Sequence, residues 1–463
     1  MTTRALLIDF GSTYTKVVAV DLEQGSLLAR ATALTTVETD IVLGLAEAAA
    51  KIEEELGRGC PFHHKLACSS AAGGLRMVAI GLVPDFTVQA ARLAALGAGA
   101  RVLRTYAYEL TEGELRELER EPGDIILLAG GTDGGDREVL LHNARFLAGS
   151  RIKVPIILAG NKVAVPEGAR LLRQGGKDVR VTENVMPELG RLNIEPARET
   201  IRQVFMEKIV EAKGLSRAEA FVDGGILMPT PAAVLAGARL LADGTPEEEG
   251  IGELMVVDVG GATTDIHSVA AGEPTRSNTI VRGLPEPRAK RTVEGDLGLR
   301  VSALSLLESA GLRRVQENTG AGVKVEGLVA RLAADVGWLP RTEEEKALER
   351  GLAVTAVELA VRRHVGTLKE FYTPAGLYFI QEGKDLTAVP NVIGTGGIFA
   401  HLEDPVAILA RAFARNQNPL VLQPAAPRFF WDRDYILWAA GLLGQIAPNQ
   451  ALRLVKKSIG WPA

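Results

Sequence analysis

Short apolar runs alternate with amphipathic stretches along the whole chain, and many of the apolar runs end in glycine. β-Branched and apolar runs predict strands at 5–10, 15–21, 66–69, 76–82, 124–129, 154–158, 178–182, 254–259, 266–270 and 388–393. Apolar positions at helical spacing predict helices at 42–55, 86–96, 137–147, from 167 onward, and at 199–209, 297–306, 325–332, 343–372 and 435–443. Strands and helices that alternate in this way indicate an α/β fold.

The rhythm of the pattern changes twice and divides the chain into three parts. From residue 124 onward, strand and helix alternate as βαβ units, which predicts a doubly wound parallel sheet. A run rich in Gly, Pro and Glu at 243–249 is the clearest linker. We therefore expect an N-terminal half at 1–120, an α/β insert at 121–250 and a C-terminal half at 251–463, the two halves each opening with a strand that ends in Asp-x-Gly.

Composition excludes several classes of protein. The 463 residues carry 52 Lys and Arg against 57 Asp and Glu, so a net charge of −5 leaves no basic footprint for nucleic acid or an anionic membrane. Hydrophobic residues make up 47% and charged residues 24%, which excludes disorder over most of the length. The sequence contains neither a signal peptide nor an apolar run of about 20 residues. We expect a cytoplasmic protein that binds neither nucleic acid nor membrane.

Glycines are the first hint of chemistry. Fifty are present, and prominent clusters follow apolar runs at Gly11, at 130–135, at 260–261 and at 396–397. A strand that enters a glycine turn allows backbone amides to approach a phosphate, which a Cβ would block. Turn chemistry alone explains any single doublet, but the repetition beside acidic residues calls for a joint explanation.

The segment 9–16 has the residue types that a Mg-nucleotide needs. Asp9 ends a strand and can hold Mg²⁺ through water, while Ser12 and Thr13 follow Gly11 and can wrap the terminal phosphates. The segment 258–265 repeats this device in the C-terminal half, beginning with Asp258. Two such turns facing each other across a cleft would clamp a triphosphate and its metal, which is most of what phosphoryl transfer requires.

These motifs define the candidate site. The nucleotide-binding candidates are Gly11, Ser12, Thr13, Lys16, Gly260, Gly261, Thr263, Thr264, Gly394, Gly396 and Gly397. The catalytic candidates are Asp9, Asp258 and Glu294, of which Asp9 and Asp258 are also the metal candidates. For Glu294, positioning water or Mg²⁺ competes with a plain acidic helix start. The loop 130–136 is either a second anion nest or a structural turn.

The sequence resembles a known superfamily at these motifs. Asp9-x-Gly11-x-Thr13-x-x-Lys16 and Asp258-x-Gly260-Gly261-x-Thr263-Thr264-Asp265 resemble the two phosphate motifs of the actin, sugar-kinase and heat-shock-chaperone ATPases, and 392–399 resembles their adenosine motif. Together with 130–135 and 294–298, they resemble the GlmL/MutL family, whose members are accessory proteins of adenosylcobalamin-dependent glutamate mutase and related aminomutases. That family is unrelated to the DNA mismatch-repair protein of the same name.

The resemblance implies two actin-like, ribonuclease H-like ATPase halves around a nucleotide cleft, with an inserted doubly wound subdomain. It also implies ATP, ADP and Mg²⁺ as ligands, mutase subunits as partners, and a slow ATPase that releases damaged cobalamin from the mutase. The alternatives are a small-molecule kinase of the same superfamily, an activator of a radical dehydratase, and a non-catalytic scaffold. Whether the chain forms a homodimer stays open.

Overall fold

The computed structural model describes residues 3–11, 14–35, 41–57, 59–70, 75–212, 221–223, 226–374, 376–415 and 418–460. The strands are β1 (Arg4–Phe10), β2 (Tyr14–Asp21), β3 (Ser26–Leu34), β4 (His64–Ser69), β5 (Arg76–Gly81), β6 (Arg101–Ala107), β7 (Ile125–Leu128), β8 (Ile156–Leu158), β9 (Val179–Val181), β10 (Ile226–Pro229), β11 (Leu254–Val259), β12 (Thr264–Val269), β13 (Thr279–Arg282), β14 (Ala289–Glu294), β15 (Thr367–Thr373), β16 (Gly376–Glu382), β17 (Asn391–Thr395), β18 (Arg428–Asp432) and β19 (Ile459–Gly460). The α-helices are α1 (Ile41–Leu56), α2 (Gln89–Gly97), α3 (Glu112–Arg120), α4 (Glu138–Gly149), α5 (Val165–Gln174), α6 (Glu195–Ala212), α7 (Thr230–Asp243), α8 (Ala303–Ala310), α9 (Leu312–Thr319), α10 (Val325–Ala334), α11 (Glu343–His364), α12 (Gly397–His401), α13 (Pro405–Arg415), α14 (Leu437–Leu443) and α15 (Pro448–Ser458).

The N-terminal half is built on a five-stranded sheet in the order β10-β4-β1-β2-β3. Its first three strands form an antiparallel meander, and β4 and β10 extend it in parallel on the other side of β1. Strand β1 is almost continuously buried because it lies in the middle of this sheet, which explains its unbroken apolar run. The central position of β1 places the residue at its carboxyl end deep in the molecule.

The C-terminal half repeats the same topology. Its sheet has the order β14-β12-β11-β17-β18-β19, in which β11, β12 and β14 are antiparallel while β17 and β18 run parallel to β11. Strand β11 therefore occupies the position that β1 has in the N-terminal half. This duplicated sheet order confirms the predicted fold class of two actin-like, ribonuclease H-like halves.

Between β4 and β10 the chain forms the insert. Its sheet has the order β6-β5-β7-β8-β9, and all of its strand pairs are parallel. Helices connect the consecutive strands, as parallel pairing requires. In the order of its own strands this is 2-1-3-4-5, the order of flavodoxin-like doubly wound sheets. The predicted doubly wound subdomain is thus present.

The sheets divide the chain at other positions than the expected limits of 120 and 250. Strands β5 and β6 lie within 1–120 but hydrogen-bond into the sheet of the insert. Strand β10 lies within 121–250 but completes the sheet of the N-terminal half by pairing with β4. The reason is that the fifth strand of that sheet comes from far along the chain, after the insert has closed.

One long helix was predicted with the wrong end. The helix expected at 343–372 stops at His364, and Thr367–Thr373 forms β15, which pairs with β16. The break falls at Gly366, where a Cβ would lie 2.7 Å from the carbonyl oxygen of Lys384. The helix expected at 297–306 begins only at Ala303. A small sheet in the order β13-β16-β15 was not predicted.

Two helices join the halves beneath the cleft. Helix α7 packs against α14 so closely that a Cβ on Gly237 or Gly441 would overlap the facing backbone. Residues of both helices share one hydrophobic core with strands of both halves, including β1 and β11. In the part of the chain that the structure describes, no helix is long and apolar enough to cross a membrane.

Candidate functional site

Equivalent hairpins bring the two acidic motifs to the same place in each half. The turn between β1 and β2 is closed by a hydrogen bond from Gly11 N to Tyr14 O of 3.1 Å, and that between β11 and β12 by one from Gly260 N to Thr263 O of 2.9 Å. In Gly11 a Cβ would lie 2.5 Å from Tyr14 O, so the tight turn needs glycine. Ser12 and Thr13 lie outside the described residues.

Asp9 is completely buried, and both of its carboxylate oxygens have partners. Lys16, its cross-strand neighbour, donates to Oδ2 at 2.7 Å. Thr230, the first residue of α7, donates to Oδ1 at 2.5 Å, and the Cys68 thiol lies 3.6 Å from the same oxygen. Because these contacts use both oxygens, Asp9 can act on a metal through water or through Lys16 more readily than as a direct ligand.

Lys16 is held between Asp9 and an aromatic ring. Its Nζ lies 4.3 Å from the centre of the Tyr435 ring. Burial by itself lowers the pKa of Lys16, but the charge of Asp9 and the Tyr435 hydroxyl outweigh it, so the pKa is raised and the ammonium keeps its proton. Burial also raises the pKa of Tyr435 to about 12, so that this hydroxyl stays neutral. Lys16 is therefore a fixed cation in the cleft.

Asp258 is the counterpart of Asp9 in the C-terminal half, but its surroundings differ. Within the described residues, its half-buried carboxylate has no hydrogen-bond partner. Burial raises its pKa from 3.8 to about 7, and the negative charges of Asp265, Asp9 and Asp432 act in the same direction against the opposing charge of Lys16. A carboxylate that is costly to ionise and faces other carboxylates is a site that a cation would stabilise.

Asp265 lies opposite Asp258 in the hairpin and is tied down. Arg291 on β14 donates to its Oδ1 at 2.8 Å, and Thr263 donates to Oδ2 at 3.2 Å. Burial raises the pKa of Asp265, although the charge of Arg291 opposes this. Thus Thr263, a nucleotide-binding candidate, uses its hydroxyl to orient an acidic neighbour.

Two backbone hydrogen bonds from the segment 299–300 fix the second phosphate turn. The amides of Leu299 and Arg300 donate to the carbonyl oxygens of Gly260 and Gly261, at 3.1 and 2.8 Å. Thr264 is completely buried, and its hydroxyl donates to Leu297 O at 2.7 Å. The Thr264 side chain faces the segment 297–300 rather than the cleft, because successive residues of a strand point to opposite faces of the sheet. The expected contact of the Thr264 side chain with phosphate does not fit this geometry.

The third glycine turn follows β17 and adjoins β11. Gly396 has φ of +106°, and a Cβ there would overlap the carbonyl oxygen of Val259, so the turn rests on the end of β11. Gly394 faces the Phe399 ring, which a Cβ would meet at 2.5 Å. A Cβ on Gly397 would meet nothing within 4 Å, so the backbone is open to an approaching ligand at this position alone of the three. Gly394 and Gly396 therefore shape the turn, and Gly397 faces free space.

Glu294 ends β14 in an ion-pair group of its own. Arg363 of α11 donates to Glu294 Oε2 at 2.8 Å and also binds both oxygens of Asp296. Burial raises the pKa of Glu294, and Arg363 opposes that effect. Its role in positioning water or metal stays a prediction. Its ion pair with Arg363 holds the start of the segment 294–300, which in turn hydrogen-bonds to the second phosphate turn.

Several residues of the cleft escaped sequence reasoning. Thr230 and Tyr435 reach the Asp9–Lys16 pair from far along the chain, and Asp432 accepts hydrogen bonds from Thr395 and from the amides of Ile436 and Leu437. Tyr435 has φ of +56°, a backbone constraint that no residue pattern displays.

The chain is similar to a known protein family and, at much lower identity, to several solved structures. The profile of the family described as MutL protein matches residues 5–459. Protein MutL of Clostridium tetanomorphum is 53% identical over 457 residues, which cover 98% of each chain. Among solved structures, nucleotide-free acetone carboxylase matches with a TM-score of 0.39 at 15% identity, over 95% of this chain and 70% of that one. Gluconate kinase from Lactobacillus acidophilus matches with a TM-score of 0.36 at 11% identity, over 100% and 94%.

Proposed function

The chain belongs to the MutL protein family, and from that membership we propose that it is an ATP-dependent accessory protein of an adenosylcobalamin-dependent mutase, such as glutamate mutase or an aminomutase. In this role it binds and slowly hydrolyses Mg-ATP and uses the resulting movement to release damaged cobalamin from the mutase. This MutL family is not that of the mismatch-repair protein.

The unpartnered carboxylate of Asp258 supports the nucleotide-binding part of the proposal. Four carboxylates, Asp9, Asp258, Asp265 and Asp432, influence one another electrostatically, and in the described parts of the chain only Asp258 among them has no hydrogen-bond donor. The Lys16 cation lies beside them. A triphosphate with its divalent cation matches this arrangement. The cation would bind the Asp258 carboxylate, and the phosphates would bind the Lys16 ammonium.

The residues present fit Mg²⁺ better than a transition metal. The described ranges contain no group of three or more His, Cys, Asp or Glu side chains that could enclose a metal. Mg²⁺ characteristically uses one or two carboxylates together with waters and substrate phosphates. Asp258 would hold it directly and Asp9 through water, and when bound it would neutralise charge on the phosphates.

The chain's own groups supply positioning. Lys16 keeps its charge beside the expected place of the phosphates. In this arrangement the Asp258 carboxylate would be a ligand of the cation, so it would serve positioning and not proton transfer. Hydrolysis without further groups to activate the water fits a slow ATPase.

The insert is the proposed contact with the mutase. Ligands of doubly wound sheets bind beyond the carboxyl ends of the strands. Exposed apolar side chains occur at that edge of the insert: Tyr108 after β6, Val163 after β8 and Leu189 after β9, which are 59%, 46% and 73% exposed. The loop 130–136 lies at the same edge, where Asp133 accepts hydrogen bonds from Lys162 N and Asn184. These contacts fix the loop, which supports this edge of the insert as the proposed docking surface.

Nucleotide binding is tested first. Titration of Mg-ATP into the full-length protein should show tight binding that depends on the metal, and Asp258→Asn should weaken it by about 100-fold, equivalent to losing one metal–carboxylate contact. Asp178→Asn is the matched control, since it removes an exposed carboxylate at the edge of the insert. Equal Mg-ATP affinity in all three proteins would place the nucleotide elsewhere and refute the proposal.

Mutase reactivation is tested separately. A mutase inactivated by cyanocobalamin should recover activity with this protein, Mg-ATP and fresh adenosylcobalamin. The double variant Tyr108→Asp with Leu189→Asp should lose this rescue and keep its ATPase rate, whereas Leu339→Asp, which changes an exposed leucine of the C-terminal half, should keep both. Rapid ATP use stimulated by one small hydroxylated metabolite, without rescue, would establish the kinase alternative instead.

A further inference from the structure

One buried arginine connects the nucleotide cleft to the insert. Arg291 on β14 is 3% exposed, and its guanidinium binds partners on two sides. One nitrogen donates to Asp265 Oδ1 at 2.8 Å, and the other donates to the carbonyl oxygens of Leu96 and Ala100 at 3.2 and 2.9 Å. Those carbonyls belong to the last turn of α2 and the residues after it, within the insert.

On its cleft side, Arg291 is connected to the proposed metal site through a single residue, Asp265. Asp265, its partner, lies directly opposite Asp258 in the β11–β12 hairpin. The two carboxylates are close enough for the charge of each to affect the other. Neutralising Asp258 with a cation, or releasing that cation with phosphate, therefore changes the electrostatic field at the Asp265–Arg291 pair.

On its far side, the turn at 96–100 touches both halves of the ATPase. Arg291 holds it from the C-terminal half. From the N-terminal half, Pro229 packs on Gly99, where a Cβ would lie 2.8 Å from the Pro229 Cβ, and φ of Gly99 is +94°. Pro229 directly precedes Thr230, which donates to Asp9. The turn is thus wedged between the neighbours of both catalytic carboxylates.

The same turn is continuous with the body of the insert. Helix α2 connects β5 to β6, the two strands at one side of the insert sheet. Arg198 of α6 is 5% exposed and lies so close to Gly97 that a Cβ there would overlap it. A change in the separation of the two halves therefore acts on α2 and, through rigid contacts, on the insert.

We propose that Arg291 is a positioning residue that transmits the nucleotide state of the cleft to the insert, by binding Asp265 and the carbonyl oxygens at the end of α2 at the same time. The planar guanidinium suits this task because its donors point in fixed directions to several acceptors. This inference rests on the proposed function, because it requires Mg-nucleotide to bind beside Asp258.

Hydrogen–deuterium exchange tests the inference on the full-length protein. The amides of Ala98, Gly99 and Ala100 are hydrogen-bonded within the turn, so their exchange reports its opening. In the wild type we expect exchange in peptides covering 96–101 to differ about tenfold between Mg-ADP and a non-hydrolysable Mg-ATP analogue. In Arg291→Met, measured at nucleotide concentrations that saturate the variant, the difference should fall below about twofold.

Arg288→Met is the matched control, because Arg288 lies on the same segment but pairs with Asp243 and Glu253 at the surface. It should keep the tenfold difference. Arg291→Lys keeps the charge but loses the planar guanidinium with its several donors, so the exchange difference at 96–101 should be smaller than in the wild type. This variant also tests the inference if Arg291→Met does not fold.

A wild-type protein that binds both nucleotides with no difference at 96–101, or an Arg291 variant that keeps the full difference, would overturn the inference alone. Failure of the wild type to bind either nucleotide would overturn the proposed function and the inference with it.

Discussion

Replacing Asp258 by Asn tests the electrostatics of the cleft. The pKa of the Asp258 carboxyl is about 7 in the folded protein, against 3.8 for the ordinary side chain. Between these two values the folded state keeps a proton that the unfolded state has lost. The free energy of unfolding therefore falls as pH rises through this window and levels off above pH 7.

The size of the effect follows from the two pKa values. At about 1.4 kcal/mol per pKa unit, their difference is worth about 4 kcal/mol, and partial exposure of the carboxyl lowers this to about 2–4 kcal/mol. An asparagine resembles the protonated carboxyl in shape and cannot ionise. Asp258→Asn should therefore be more stable than the wild type above pH 7 by about 2–4 kcal/mol, with about half of this gain developing between pH 5.5 and 7.

Chemical unfolding followed by tryptophan fluorescence, at several pH values from 5.5 to 9, measures this difference. Asp178→Asn controls for the loss of one negative charge from an acidic protein. Adding Mg²⁺ with ADP at pH 8 should stabilise the wild type and leave Asp258→Asn nearly unchanged, because the variant lacks the carboxylate that would bind the cation directly. A stability difference that stays flat with pH, or in which the wild type is the more stable protein above pH 7, would refute the reasoning.

Three further substitutions probe the same structure. Lys16→Met leaves the buried Asp9 without its ion-pair partner, so the free energy of unfolding in urea should fall by about 3–5 kcal/mol, and ATP binding should disappear; unchanged stability would mean that the Lys16–Asp9 contact does not stabilise the fold. Gly396→Ala places a Cβ on a residue with left-handed backbone conformation, against Val259. The free energy of unfolding in urea should therefore fall by about 1–3 kcal/mol, and wild-type stability would contradict the geometry of this turn. Lys384 is buried, and burial lowers its pKa from 10.5 to about 7, so the folded state binds fewer protons than the unfolded state above pH 7 and stability rises with pH there. The stability of Lys384→Met relative to wild type should consequently fall by about 2 kcal/mol between pH 7 and 9, and a constant difference would show that Lys384 keeps its proton.

Much of the architecture could be read from local patterns. The hairpins β1–β2 and β11–β12 were predicted because their strands are short runs rich in apolar and β-branched residues and their turns carry glycine at Gly11 and in the doublet at Gly260. The parallel strands β7, β8 and β9 were predicted for the same kind of reason, since each is a short apolar run followed by a helix. Periods of two and of 3.6 residues are properties of neighbouring positions, which a sequence displays directly.

The boundaries failed where pairing crosses long distances. Strand β10 completes the first sheet after the insert, and β5 and β6 join the insert although they precede its expected start. The helix predicted at 343–372 ends at His364 because the backbone near Gly366 meets Lys384, a neighbour in space and not along the helix. No local pattern reports such a contact.

The site divides in the same way. The sequence alone determined the acidic residues, the glycine turns and the duplicated order of the halves, because each depends on residue type and short spacing. The tertiary structure decided which carboxylate is free, since Thr230 and Lys16 occupy Asp9 and Arg291 occupies Asp265, while Asp258 stays without a donor within the described residues. It also turned Thr264 inward and joined α2 to the cleft. Hydrogen bonds, burial and charge arise between groups that the fold brings together from distant positions, and these decide what each residue does.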